Sequence, residues 1–514
     1  MRLPFLSETG QAIQKQLGQF KGYNNNLVIG DNEFKDMRNM CSDYFPAIGT
    51  RKSRGAVLHT LSKPNGLFFK NGLVYVDGTK VYYKDSIVGT VTDSKKQIIG
   101  MGAYVLIWPD KCYYNTHTSE FGSLVKEYVQ SGMVTFQPVS SGSNFTKILA
   151  PGIDFNRWDS VVIEGCTNAA LNTTKVIQEV GNGYIVVIAT IESQFTQANG
   201  LRITRKVPDM DFICESDNRI WGCSSKNHEI YASKLGDPFN WNNYEGISTD
   251  SYTVTVGSDG DFTGAISHLG NVLFFKENTI HKMYGNKPSN FQLNTYTLPG
   301  VAAGCSRSLC IVNETLYYKS RNGICTYDGS MPYSISAALG NESYSDAVGC
   351  QFDGKYYVSM KDSGNHNVLM VYDPKYQIWH KEDDTKILMA TYGEGKMYYV
   401  DSDNCLRTIQ GDGTEKLDWM IESGDMIENT LNQKYVSKLM FNMQLDRGAK
   451  AEIYLQYDSD PMWERKFTIN SAFRKSYVVS AIPRRCGQFR YRIVGTGGCK
   501  LFGISKFVEE GSEM

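Results

Sequence analysis

The stretch Gly349-Cys350-Gln351-Phe352-Asp353-Gly354-Lys355-Tyr356 comes nearest to a chemical motif in this 514-residue chain. Its spacing approaches a phosphate-binding loop, in which amides and a lysine cradle phosphate and a closing Ser or Thr holds magnesium. Tyr356 cannot take that last role. The stretch also lies between two alternating segments, where a phosphate loop would open a helix, so Asp353-Gly354 reads as a hairpin turn. Asp401-Ser402-Asp403-Asn404 starts like a calcium loop but lacks the glycine at position six and the terminal glutamate. Gly257-Ser258-Asp259-Gly260-Asp261 likewise has the composition of a turn. The seven histidines (59, 117, 228, 268, 281, 366, 380) show no H-x-x-x-H spacing and no cysteine at zinc distance. No G-x-S-x-G elbow occurs. Carboxylates are plentiful, and a glycosidase needs only two or three that converge, but order along the chain selects no pair. No catalytic, cofactor-binding or metal-ligating residue is assigned, no cofactor is expected, and the chain reads as a non-enzyme.

Two aromatic clusters, Phe239-Asn240-Trp241 and Trp379-His380, have the residue types that stack on sugars. Both fall at the ends of strand pairs, where a large side chain fills the gap between neighbouring sheets, and packing is the expected role.

The elements that carry these residues repeat. A Gly or Asn turn, an alternating apolar strand, a polar turn and a second strand recur seven times, starting near Gly72, Gly102, Asn218, Gly270, Asn313, Gly354 and Gly395. The last four starts are 43, 41 and 41 residues apart. A period near forty built from hairpins is the mark of β-propeller blades. The expected fold is all-β: a propeller of six or seven blades, with an inserted small β-barrel and a C-terminal β-sandwich. The divisions are 1–126 (N-terminal segment and first blades), 127–210 (inserted barrel), 211–418 (remaining blades) and 419–514 (sandwich). The insertion follows from the 116 residues between the second and third starts. The sandwich follows from six strand-like segments after residue 436, clearest where Phe489, Tyr491 and Ile493 alternate with Gln488, Arg490 and Arg492. Residues 7–20 read as one short helix with Ile13, Leu17 and Phe20 on one face. A strand between Gly30 and Gly55 is expected to close the ring against the last blade.

Net charge is −1, from 53 basic and 54 acidic residues. That balance gives no electrostatic grip on DNA or on an anionic membrane, yet suits a wall past which DNA slides. The N-terminus does not read as a signal peptide, and no apolar stretch approaches the length of a membrane span. The twelve cysteines are scattered without a C-x-x-C and read as reduced, strand-buried thiols of a protein made in a cytosol.

Several phrases together resemble a known family. They are Asn218 to Tyr244 with its D-P-x-x-W turn, Leu273 to Gly285, Gly304 to Ser308, Leu316 to Gly329, the opening 33–55 and the closing 490–513. This order is similar to the DNA-stabilisation (nozzle) proteins of short-tailed bacteriophages. The resemblance implies a structural virion protein of the phage tail, a nozzle or hub, that forms part of the DNA channel, retains the packaged genome and permits its ejection. It further implies a homo-oligomeric ring, a hexamer, contacting the tail adaptor or tube ring and fibres. Viral DNA would pass without sequence-specific binding, and assembly would occur in the host bacterial cytoplasm. The alternative is a glycan-binding or glycoside-hydrolysing propeller, including a receptor-binding tail-tip protein, with Arg307 and Arg321 as conceivable pocket members.

Overall fold

The computed structural model describes residues 13–510 except 414, 429–432, 459 and 481–483. The fold is all-β and propeller-like; the helical pieces among the described residues are single 3-10 turns. Seven four-stranded antiparallel sheets follow along the chain, at 64–90, 97–123, 212–255, 264–296, 310–334, 345–381 and 387–408, the last completed by His59–Thr60.

Each of the seven repeated phrases forms the two middle strands of one sheet, as in Leu73–Asp77 with Lys80–Tyr83 and Lys355–Lys361 with Asn367–Asp373. The turn residues at their heads take the left-handed backbone that tight hairpins need, as at Asp217 and Asn218 (φ 51° and 56°) and at Asp353 and Gly354 (φ 50° and 69°). So Asp353-Gly354 is a hairpin turn. The middle strands of the small sheets are the driest. Arg219–Ser224 is buried throughout, whereas the outermost strand Gln292–Tyr296 is mostly exposed. A strand buried on both faces needs apolar cover on both sides, which explains why alternation is weakest there.

The chain divides into two compact units. The one spanning 61–309 and 328–332 holds four of the small sheets and an eight-stranded antiparallel sheet between Lys126 and Arg205. That larger sheet wraps its own core, including Phe136, Ile148, Val161, Ile163, Val187 and Ile203. It is pinned to its own unit by Arg205, whose buried Nε donates to Leu124 O at 3.1 Å while its guanidinium donates to both carboxylate oxygens of Asp159 within the insertion at 3.0 Å. It is also pinned by Ser160, whose amide donates to Asn240 Oδ1 at 2.7 Å. Asn240 belongs to the D-P-x-x-W turn, where Asp237 accepts from the Phe239 amide and the Asn240 side chain, and Trp241 donates to Pro238 O at 3.0 Å. Trp241 is buried against Trp108 and Phe239 against Tyr104 and Tyr113, so this aromatic cluster packs the gap between two sheets.

The other unit (1–60, 310–327 and 333–514) holds the remaining small sheets and two larger ones. One larger sheet orders Met40–Cys41, Ile48–Thr50, Cys499–Glu510, Lys434–Leu445 and Lys475–Ser480, with Ile13–Leu17 and Arg485–Cys486 on the side. The second orders Phe34–Arg38, Asp418–Ser423, Phe489–Thr496, Lys450–Tyr457 and Glu464–Ile469. They meet through the rings of Phe441 and Tyr491, 5.5 Å apart, which makes a sandwich. Phe489, Tyr491 and Ile493 face inward and Arg490 and Arg492 outward, as their alternation requires.

Two expectations are corrected. Residues 7–12 of the expected helix lie outside the described residues, and Ile13–Leu17 is a strand paired with the end of the chain, Ile13 opposite Val508. The free edge of a long strand offers a row of backbone partners, which outweighs the helical spacing of Ile13, Leu17 and Phe20. The strands between Gly30 and Gly55 enter the sandwich sheets, and the last small sheet takes its fourth strand from His59–Thr60, opposite Leu406 and Cys405.

Candidate functional site

The segment Thr50-Arg51-Lys52-Ser53-Arg54-Gly55 leaves the sandwich strand Ile48–Thr50 and runs to the last small sheet. Its path is held by backbone bonds from Gly55 N to Thr408 O (3.0 Å) and from Gly411 N to Ser53 O (3.1 Å). The chain runs so close that a Cβ on Gly413 would stand 2.0 Å from Arg54 O, so this position demands glycine. The crossing buries two arginines and brings to them Glu382 and Asp383, which follow the strand Ile378–Lys381, and Glu415 from the link into the sandwich.

Arg51 donates to Asn39 Oδ1 (2.7 Å), to Asp383 Oδ2 (3.1 Å) and to both oxygens of Glu415 (2.9 and 3.1 Å). Arg54 donates to Asp383 Oδ2 (2.9 Å) and lies 2.7 Å from Glu382 Oε2, an ion pair whose N–H directions leave that oxygen without an aligned hydrogen bond. Burial pushes the Asp383 carboxyl up, but Arg54 and Arg51 outweigh it and hold the group at about 2. At Glu382 burial wins over the same arginines, and its pKa is raised. Burial also opposes ionisation of Glu415, yet the Arg51 contact holds its pKa down. The network is a floor of two guanidiniums and three carboxylates, with Asp383 and Glu415 held toward the ionised form and Glu382 pushed toward the protonated one.

Above it opens a cavity of about 810 Å³. Arg54, Gly55 and Gly413 line one side; Thr385 and Tyr399 stand beside Asp401, Ser402, Asp403 and Arg407. Asp401 shapes the rim: one oxygen accepts from the amides of Asp403 (3.0 Å) and Cys405 (2.8 Å), the other from Arg407 Nε (3.2 Å). The stretch that begins like a calcium loop is thus a turn tied by its own first aspartate. Among the described residues no group of three His, Cys, Asp or Glu side chains has metal-holding geometry.

The other residues singled out in the sequence fall elsewhere. Lys355 of the phosphate-loop look-alike is buried and paired with Asp43, with Asp373 at 3.8 Å. Arg307 sits in the short turn Ser306–Ser308 of one unit, while Arg321, in the other, lines a cavity of about 280 Å³ with Asn322, Glu342 and Tyr344. Trp379 is buried, packs tilted against Tyr372 with ring centroids 5.0 Å apart and donates to Ile335 O at 2.8 Å, so it too is a packing residue. All twelve cysteines are free thiols and ten are buried. Arg51, Arg54, Glu382 and Asp383 had not been singled out. Their only sequence signal was two short charged runs, 51–54 and 381–384, in an otherwise alternating chain.

No protein-family model matches the chain, and no curated protein matches it. Among solved structures, it is similar to BamB from Moraxella catarrhalis, with 10% identity and a TM-score of 0.37 over 71% of this chain and 99% of that one. The computationally designed protein Ika8 gives 9% identity and a TM-score of 0.33 over 70% and 100% of the two chains. An exo-beta-1,3-galactanase from Phanerochaete chrysosporium gives 8% identity and a TM-score of 0.24 over 57% and 94%. At these scores the likenesses carry no argument about function.

Proposed function

We propose that this chain is a structural subunit of a bacteriophage tail, of the nozzle or hub type. In this reading it forms part of the DNA channel, retains the packaged genome until ejection and anchors other tail proteins. The observation that carries it is the order of parts. Family-like phrases fall on the middle hairpins of successive four-stranded sheets, and the family-like opening (33–55) and the described part of the closing stretch (490–510) both contribute strands to one sandwich. In this reading the seven sheets are blades of one propeller and the eight-stranded sheet is a small barrel. Copies assemble head to tail into a closed ring, a hexamer, by one repeated heterologous contact. The near-zero net charge suits a conduit that must not clamp DNA. Free, buried thiols suit assembly in a bacterial cytoplasm.

The test is immunogold electron microscopy with antibody to this protein, on particles from the culture that makes it. Label confined to the tail, at its distal end, is the expected result. Unlabelled intact tailed particles with the protein free in the supernatant would overturn the reading. A second reading, a glycan-binding or glycan-cleaving propeller that also suits a receptor-binding tail tip, is favoured by one observation, the carboxylate-rich cavity of about 810 Å³.

A further inference from the structure

We propose that the cavity above the Arg51–Arg54 floor is a binding site for a neutral, polyhydroxylated ligand, one or two sugar units of a glycan. The proposal rests on the second reading above and assigns that reading to one place in the fold.

The wall chemistry decides the ligand class. Among the described residues no Leu, Ile, Val, Phe, Met or Trp lines the cavity, and the one aromatic, Tyr399, is 2% exposed, so an apolar ligand finds nothing to displace water from. Five carboxylates face three cationic side chains across it. Two of those cations are already committed: Arg54 to Glu382 and Asp383, and Arg407 to Asp401. Lys386 is left as the one lining cation outside these pairs, against Asp403 and Asp412, which have no ion-pair partner among the described residues. A phosphate- or carboxylate-bearing ligand would therefore meet an excess of like charge. A polyamine would satisfy the aspartates but would set a like charge beside Lys386 and Arg407.

Hydroxyl groups satisfy both sides. Each donates to a carboxylate and accepts from an ammonium, guanidinium or amide, bringing no charge of its own. Asn367 adds a lining side chain of the matching type, its Oδ1 buried without a hydrogen-bond partner. The floor is pre-organised, because Arg54 is fixed by two carboxylates and Asp401 by two backbone amides and Arg407, so little ordering remains to be done on binding.

The experiment applies the full-length chain, and two variants of it, to an array of neutral and acidic glycans, with spermidine as competitor. D403N/D412N removes two carboxylates that make no side-chain bond among the described residues; Ser402→Trp fills the cavity from an exposed rim position. Unchanged melting temperatures establish that each variant is folded. The expected result is binding to neutral glycans that falls about tenfold or more in both variants, the loss of charged hydrogen bonds in the first and of space in the second, and that spermidine does not displace. Full-strength glycan binding by both folded variants would overturn this site while leaving the glycan reading standing. Displacement by spermidine, or preference for acidic glycans, would overturn the ligand class. No glycan bound by the unaltered chain would overturn both the site and the reading.

Discussion

Two arginines three residues apart, each under a tenth exposed, are expensive to bury unless every charge has a partner. Asp383 is the acceptor to which both donate, at 3.1 and 2.9 Å, and Glu382 lies 3.9 and 2.7 Å from the two. Asp383→Asn is expected to cost about 1–3 kcal/mol, because both guanidiniums lose the charged acceptor they share and keep only Glu415 and Glu382 in a dry site. Urea unfolding of the variant at neutral pH measures it, and a loss under about 1 kcal/mol would show that water reaches the arginines. The buried histidines give a separate expectation. Burial holds His380 at about 3, with Lys355 adding to it, and neither ring nitrogen makes a hydrogen bond. Burial, with Lys276, holds His281 at about 4. Both values lie below the unfolded 6.5, so the unfolded chain binds more protons through that window and stability falls as pH drops from about 6.5 toward 3–4. Each fully differential proton contributes a slope of about 1.4 kcal/mol per pH unit. The Asp383 contribution is lost only lower, as pH falls from the ordinary carboxylate range to about 2. Melting temperature from pH 7 to 5 should therefore drop in the unaltered chain and drop less in His380→Leu; equal drops would assign the slope to other groups. None of this was legible in the sequence. Arg51 and Glu382 are separated by more than three hundred residues, and which distant charge answers which is a property of the folded path.

At the scale of elements the sequence was more informative, because a hairpin is local. Turn residues at a fixed offset from alternating strands name the two middle strands of each small sheet, and all seven occur where the phrases place them. The outer strands were less visible: edge strands such as Gln292–Tyr296 face solvent and lose the alternation that burial imposes. In the sandwich, Gly495 shows a constraint that alternation does not reveal. It stands opposite Trp419, and a Cβ there would lie 2.2 Å from the indole ring and 2.6 Å from Lys450 O. The tryptophan lies over the missing side chain, so Gly495→Ala must push the ring out of a buried site. A loss of about 1–3 kcal/mol is expected, the usual cost of overpacking. Gly257→Ala is the control, since no atom lies within 4 Å of its Cβ position. Equal unfolding midpoints for the two variants would mean that Trp419 moves aside at no cost.

For the molecule as a whole, the least legible feature was that its two ends belong together. Ile13 pairs with Val508 and Ile48 with Leu501, contacts made by strands more than four hundred residues apart, and no period or composition shift announces them. One compact unit is accordingly discontinuous, drawing on 1–60, 310–327 and 333–514, while the other is almost one stretch, 61–309 with only 328–332 added. This asymmetry makes opposite predictions for two truncations. The fragment 61–309 keeps its four small sheets, its eight-stranded sheet and their cores, and loses from its unit little more than the bond from Lys282 to Gly329 O at 3.2 Å. It is expected to be soluble and to unfold in one cooperative transition. The fragment 1–417 contains more of the chain but removes Asp418–Ser423, Lys434–Leu445 and Cys499–Glu510. The first partners Phe34–Arg38 and the last partners Ile48–Thr50, strands in which Phe34, Met37 and Ile48 are buried. Left behind, the N-terminal strands present unpaired backbone and an uncovered apolar face, the conditions for edge-to-edge aggregation. The longer fragment should therefore precipitate where the shorter one stays in solution. Expression of both, followed by sedimentation and a circular-dichroism melt, decides it. A soluble 1–417 melting like the full chain would mean that the N-terminal strands do not depend on the C-terminal ones.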